Sequence, residues 1–449
     1  MKRTTRSHAV LALLVLVSMI VTSCRPAATP VPTAVPTKEA AAPTSVPEAE
    51  EEVELYIMDN WGGRPEGKGP VLAAVFEEFM AQYPNIKIKE EVFSDQEIAT
   101  KVNTAFMSGQ EPDIVFQNLH REAVEWLPDG VAIDVKGLAA EWGLLDQFLT
   151  PAVDEWTDAQ GRLRAFPLEG YNWPIWYNTD ILDAAGVEIP TTTDELIEVA
   201  KAVRAAGYQP LATGGADWTG QNQFYLTLST MLTDAEIAEL YSQGGFAENP
   251  RAVEGVKVFK ELLEAGVFSD GVQGMTNATR NEMFYSEQAA MMHGGSWFYA
   301  ECPDEIKDHI AMGGMPLPAG AVRQKPLIYV SFEGKGVWIT RNGTKKMDAV
   351  EKFVKFLYQQ EYMTRFVEEA AMVSPLKGTP VEESKLDALF VKALAIMDDV
   401  DVAVYQNQYI PAAAAEAVRR VANEAFLLEV SAEETLAHLD EVYEELGIR

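Results

Sequence analysis

The alternation of apolar and polar positions divides the chain into strands and helices from Val53 onward. "VELYIMDN" (53–60) is an apolar, β-prone run that stops at Asp-Asn and is followed by "WGG", where glycines let the backbone turn sharply. "PVLAAVFEEFMAQYP" then sets Val71, Leu72, Val75, Phe76, Phe79 and Met80 at helical spacing, with Pro70 suited to the first helical position. "IKIKEEVF" returns to strand character. "SDQEIATKVNTAFMSG" opens on a capping box, Ser94 with Glu97, and closes on Gly109. "PDIVFQN" is a third strand. Strand, helix, strand, helix, strand predicts a parallel sheet with right-handed crossovers.

From Gly161, "GRLRAFPLEGYNWPIWYNTD" holds two β-like stretches, and a helix capped by Thr192 and Glu195 runs on to Gly207. A mostly helical region leads into "MFYSEQAAMMHGGSWF". Here Ala289 to Met292 predicts a buried strand, and Gly294 to Trp297 follow it, with Trp297 either a core indole under a loop or one presented at the strand end. "VSFEGKGVWIT" is again a strand, and the remainder is helical through a last capping box at Ser431 and Glu434. There is no internal repeat.

The N-terminus alters this picture. "MKRTTRSHAVLALLVLVSMIVTSC" has a basic start and an apolar run, Ala9 to Val21, too short to cross a bilayer as a helix. It reads as an export signal over residues 1–23. Its end, Val21-Thr22-Ser23-Cys24, resembles the lipobox of bacterial lipoproteins, which implies lipidation of Cys24 and a membrane anchor. Residues 24–52 are rich in Pro, Ala and Thr and predict a flexible tether.

Composition narrows the chemistry. At 449 residues and 47% hydrophobic, the chain can fill two cores. A formal charge of −32 repels phosphate backbones, which sets nucleic acid aside as a partner. With Cys24 lipidated, Cys302 has no disulfide partner and no thiolate metal cluster can form. The five histidines lack metal-ligand spacing, and no GxxxxGK[ST] phosphate loop occurs, so neither a metal nor another cofactor is expected.

Several stretches, in order, resemble the family 1 extracellular solute-binding proteins of ABC importers, a maltose-binding-protein-like group. They are "FMAQYPNIKIKEEV", "KVNTAFMSGQEPDIVFQN", "FPLEGYNWPIWYNTDILDAAGVEIPTTTDELIEVAKAVRAAG", "FYSEQAAMMHGGSW" and "VEKFVKFLYQQEYMTRF". The resemblance implies an α/β, two-lobe, periplasmic-binding-protein-like (class II) fold with hinge crossings and a central ligand cleft. It places the crossings near Glu169 to Asn172, Tyr329 to Glu333 and Met372 to Pro375. Lobe 1 would then hold 53–169 and 333–372, and lobe 2 173–329 and 376–449. The implied protein is an extracytoplasmic, lipid-anchored monomer that captures a mono- or oligosaccharide and delivers it to the transmembrane subunits of an ABC permease.

A sugar needs a flat ring for its face and paired donors and acceptors for its edge. Trp61, with Asp59 and Asn60, follows the first strand at the carboxyl end of a parallel sheet, where open α/β sheets bind ligands. Gln117 and Asn118 hold the equivalent place after the third strand. Glu169, Tyr171, Asn172 and Trp173 lie at the first implied crossing, and Glu169 resembles a sugar-binding carboxylate of the family. Trp297 sits where the family places a stacking aromatic, and glycines 294 and 295 would let ligand and backbone approach. Trp218, beside Asp217, follows another Gly pair; Tyr405, Gln406 and Asn407 are a last, weaker set. For each, the alternative is packing in a core or loop.

Neutral amides and acids beside indoles favour a neutral sugar. A phosphate would call for more cations than the nearby Arg64 and Arg121, so glycerol phosphate or another polyol is the second reading. A lipid-anchored glycosidase using Asp59 and Glu169 is the rival of another class. No GxSxG nucleophile elbow is present, and the resemblance points to proteins that are not enzymes.

Overall fold

The computed structural model describes residues 51–449 apart from Glu66 and His120, with the side chains of Arg121 and Glu122 also set aside. The expected export signal, the expected lipidation site Cys24 and all but the last residues of the expected tether lie outside the described residues. The strands are β1 (Val53–Asp59), β2 (Ile86–Val92), β3 (Ile114–Gln117), β4 (Phe166–Trp173), β5 (Ile175–Asn178), β6 (Gln209–Ala212), β7 (Ala289–His293), β8 (Ile310–Gly313), β9 (Leu327–Ile339) and β10 (Asp401–Ala403). They form two sheets. The larger runs β10-β9-β3-β1-β2 with β4 also on β9, and the smaller runs β6-β7-β5-β8.

β1 pairs parallel with β2, from Val53 opposite Ile86 to Asp59 opposite Val92, and parallel with β3. The period-2 runs thus form the expected parallel unit, with helices Lys68–Gln82 and Asp95–Met107 as the crossovers. The first helix starts two residues before Pro70, which lies within its opening turn. Capping boxes form at Ser94/Glu97, Thr192/Glu195 and Ser431/Glu434; each satisfies N–H groups that the helix cannot, worth about 1 kcal/mol.

Two large cores match the two sheets, and a smaller third gathers Trp176, Met292, Tyr299, Met312 and Phe390. One large core gathers Leu55, Ile57, Phe79, Phe116 and Trp338 against helix Met347–Leu357. The other large core gathers Phe224, Tyr225, Phe259, Met291 and Phe426. The antiparallel pair β4 and β9 runs through both: Phe166 and Leu168 belong to the first core, Tyr171 and Trp173 to the second, as do Leu327 and Tyr329 from the facing end of β9. β4 is buried along its whole length and its pairing shifts register on either side of Glu169. Such irregularities bend a strand and re-aim its side chains. The chain leaves the larger sheet at Trp173 and enters the smaller one at Ile175, so the passage falls on Pro174. This two-lobed α/β arrangement, with connecting strands between the cores, is the expected class II fold. The C-terminal strand β10 joins the larger sheet through Leu327 to Tyr329 of β9.

Candidate functional site

Between the two sheets lies a cavity of about 400 Å³, within the usual range of small-ligand sites. Its walls come from the ends of β1 and β3, the middle of β4 and β9, the first turns of helices Lys68–Gln82, Asp95–Met107 and Trp218–Ser229, and the turns that follow β7 and β10.

On the larger sheet's side the hydrogen bonds converge on Asp95, at the start of helix Asp95–Met107. Asn60 Nδ2 donates to its carboxylate at 3.0 Å, Lys335 pairs with it from β9, and Gln117 Nε2 donates to its carbonyl at 2.8 Å. Lys68 pairs with Glu169 and sits 5.4 Å from the Trp61 ring centre. Asp59 accepts from the backbone N–H of Trp61 and of Gly62, both at 2.7 Å, and so shapes the turn that carries Trp61. Trp61 is 2% exposed and packed against Phe116 and Phe366, and it lines the cavity.

On the other side the aromatic rings cluster. Trp297 meets Tyr171 edge to face, with centroids 5.2 Å apart at 86°, and Trp173 at 4.9 Å and 73°. Trp218 lies 5.8 Å from Trp173, and Tyr405 6.1 Å from it. His293 stacks on Trp173 at 4.7 Å; burial and the nearby Arg280 guanidinium push its pKa down to about 3, which leaves the imidazole neutral. The Tyr405 hydroxyl donates to Asn222 at 2.6 Å and accepts from Asn407 at 2.8 Å, so an amide pair closes this end.

Four buried polar atoms of cavity-lining residues have no partner among the described residues: Asn60 Oδ1, Asn118 Oδ1, Trp173 Nε1 and Glu333 Oε2. Buried groups of this kind are normally satisfied. Basic residues 64, 68, 335 and 419 and acidic residues 95, 169, 301 and 333 line the cavity, and Lys68 and Lys335 already pair with Glu169 and Asp95, so the wall offers an anion no cluster of cations.

Of the residues singled out in the sequence, Asn60, Trp61, Asn118, Glu169, Tyr171, Trp173, Trp218 and Trp297 line this one cavity, as do Tyr405 and Asn407. Asp59, Gln117 and Asn172 do not. Asp59 is committed to its turn and Gln117 to Asp95 and the Asn118 N–H, while Asn172 accepts a hydrogen bond from Tyr299 at 2.6 Å. Of the two carboxylates offered for hydrolysis, only Glu169 faces the cavity. The role given to glycines 294 and 295 also changes. A Cβ on Gly294 would meet Trp176 at 2.9 Å, and one on Gly295 would meet the Trp297 indole at 2.2 Å, so the space they free is filled by indoles of the protein itself. Sequence reasoning passed over Lys68, Asp95, Gln221, Glu333 and Lys335. A signal for two of them was present: in "VSFEGKGVW" Glu333 and Lys335 alternate with small or apolar residues, which puts two charges on one face of a buried strand.

A family model described as bacterial extracellular solute-binding protein matches residues 63–364. The chain is similar to a solved structure of a probable secreted solute-binding lipoprotein from Streptomyces coelicolor, 33% identical with a TM-score of 0.78, over 88% of this chain and 99% of that one. It is also similar to the multiple sugar-binding protein of Streptococcus mutans, 23% identical over 70% of this chain and 73% of that one. A third likeness is to the maltotriose-binding protein of Pyrococcus abyssi, 25% identical over 66% of this chain and 61% of that one.

Proposed function

The chain belongs to the family of bacterial extracellular solute-binding proteins, and we propose that it captures a neutral mono- or oligosaccharide for an ABC importer. The observation that carries this reading is the set of unpartnered polar atoms, Asn60 Oδ1, Asn118 Oδ1, Trp173 Nε1 and Glu333 Oε2, around a cavity whose other wall is Trp218, Trp297 and Tyr171. Sugar hydroxyls both donate and accept, and their ring faces are apolar, so one ligand class meets both walls. Relatives named for sugar binding support the same class.

The ligand first meets the wall of one lobe and completes its contacts with the other, which shifts the population toward the closed arrangement that the permease would recognise. The reading includes an extracytoplasmic monomer anchored through lipid on Cys24, and a ligand released chemically unchanged.

Thermal denaturation with maltotriose, raffinose, xylan and chitin oligosaccharides, monosaccharides and glycerol phosphate tests this. A matching sugar at about 100 times its Kd adds about 2.7 kcal/mol to stability. Stabilisation by a peptide or a metal ion, with none from any glycan, would refute the sugar reading; a response to glycerol phosphate alone would make the polyol the ligand. For the anchor, Cys24→Ala should move the protein from the membrane fraction to the soluble one.

A further inference from the structure

Glu333 differs from Glu169 and Asp95, which also line the cavity. Glu169 holds Lys68, and Asp95 holds Lys335 and the Asn60 amide. Glu333 is 3% exposed, and among the described residues it has no cation: its Oε1 accepts from the Tyr171 hydroxyl at 3.3 Å, and its Oε2 has no partner. Lys335, two residues on along the same strand face, is directed to Asp95 instead.

The surroundings add a second acid. Glu155, on helix Thr150–Trp156, accepts from the Ser331 hydroxyl at 2.9 Å and from the Phe332 N–H at 2.6 Å, and so fixes the backbone immediately before Glu333. The Phe332 carbonyl accepts from the Trp156 indole at 2.7 Å. The other titratable neighbours of Glu333 are Tyr171 on β4 and Tyr405 and Tyr409 after β10. These are phenols, which cannot neutralise a carboxylate at ordinary pH. An ionised carboxylate buried without a cation is far more costly than a neutral acid with one hydroxyl still to place.

We propose that Glu333 is a ligand-contacting residue that works as a neutral acid, presenting its Oε2–H as a hydrogen-bond donor to an acceptor oxygen of the ligand. The sugar-binding reading supplies the acceptor, a hydroxyl, ring or glycosidic oxygen, and the inference rests on that reading for the ligand though not for the protonation state. Burial, with the Glu155 carboxyl beside it, holds the Glu333 pKa well above the usual carboxylate range, in line with a group that keeps its proton at neutral pH. The site would then offer a donor to an acceptor oxygen of the ligand at this point and bind more weakly as pH rises.

Two measurements test it separately. Infrared spectra of the unliganded protein near pH 7 should show C=O stretches of protonated carboxyls, with one component that is lost in Glu333→Gln and retained in Glu155→Gln; a spectrum unchanged by Glu333→Gln overturns the neutral-acid assignment whatever the ligand is. Calorimetric titration with whichever glycan of the panel stabilises the protein should show wild-type affinity highest at acidic pH and falling as rising pH ionises Glu333. Glu333→Gln keeps a donor in place and should stay within about threefold of wild type at the lower pH with a flatter profile, while Glu333→Ala loses about tenfold or more. Equal affinity in Glu333→Ala, or wild-type affinity that rises with pH, overturns the donor role. If no glycan in the panel binds, the sugar reading fails while the infrared result still decides the state of Glu333.

Discussion

Tyr171 on β4 and Trp297 after β7 meet edge to face, 5.2 Å between ring centres and 86° between planes, and they come from different sheets. β4 belongs to the larger sheet and β7 to the smaller, but Tyr171 lies in the same core that Trp297 packs against, so the contact ties the connecting strand to the smaller sheet's core beside the cavity. Trp297 is half-buried and keeps part of its ring open. Trp297→Ala should therefore weaken sugar binding about tenfold or more, as loss of a central aromatic anchor does. Stability of the unliganded protein should fall by about 1–2 kcal/mol, less than for a fully buried indole. Calorimetric titration and urea denaturation of the same variant separate the two effects; a loss of about 4 kcal/mol with affinity intact would make Trp297 a core residue.

Much of this site could be read in the chain because strand ends announce themselves. Asn60 and Trp61 follow an apolar run, Asn118 follows another, and Trp297 follows "AAMMHGG". In each case the change from apolar to polar or aromatic marks the point where a buried strand reaches the cavity. What could not be read is which way a polar side chain turns there. Asp59 and Gln117 sit beside Asn60 and Asn118 in sequence, yet on a strand neighbours face opposite ways, and both turn into the lobe to hold backbone groups. For Glu333 and Lys335 the alternation in "VSFEGKGVW" marks a charged strand face but not what it meets: their partners Tyr171 and Asp95 are 162 and 240 residues away, and no local pattern reports such pairings.

The Lys335 side chain is 3% exposed and its ammonium meets Asp95, whose side chain is 25% exposed. Removing one member of a largely buried pair leaves the other without its counter-charge. Lys335→Met should cost about 2–3 kcal/mol in urea denaturation and loosen the junction of β1, β3 and β9 at the cavity. Asp95→Asn combined with Lys335→Met should recover part of that loss, since the orphaned charge is then gone. A double variant as unstable as the sum of the two single variants would show that the pair contributes nothing as a pair.

Burial raises the Glu155 pKa from 4.5 to about 7, against the opposing hydrogen bonds from Phe332 and Ser331. An acid whose folded value lies above its unfolded one binds its proton more tightly in the native state. Its contribution to stability is therefore full below about pH 4.5 and is lost as pH rises through about 7. The loss across that window is about 3 kcal/mol. Glu155→Gln, which cannot ionise, should be less pH-dependent than wild type between those limits in urea denaturation. An unchanged slope would mean that Glu155 titrates as an exposed carboxylate does.

Gly295 tests the placement of the indole without removing any group that could touch a ligand. Its φ is −81°, open to any residue, so glycine is not required there by backbone conformation. Space requires it: a Cβ would stand 2.2 Å from the Trp297 ring, far inside contact distance. In Gly295→Ala the indole must swing away from Tyr171 and Trp173, while every polar group of the cavity keeps its identity. Sugar affinity should fall nearly as far as in Trp297→Ala, and tryptophan fluorescence should shift as the ring changes surroundings. Trp297→Ala and the double variant should then bind alike, because once the indole is gone the added methyl has nothing left to displace. A Gly295→Ala protein with wild-type affinity and unshifted fluorescence would show that the indole is not held against Gly295, and that the cavity wall is built differently from the one described.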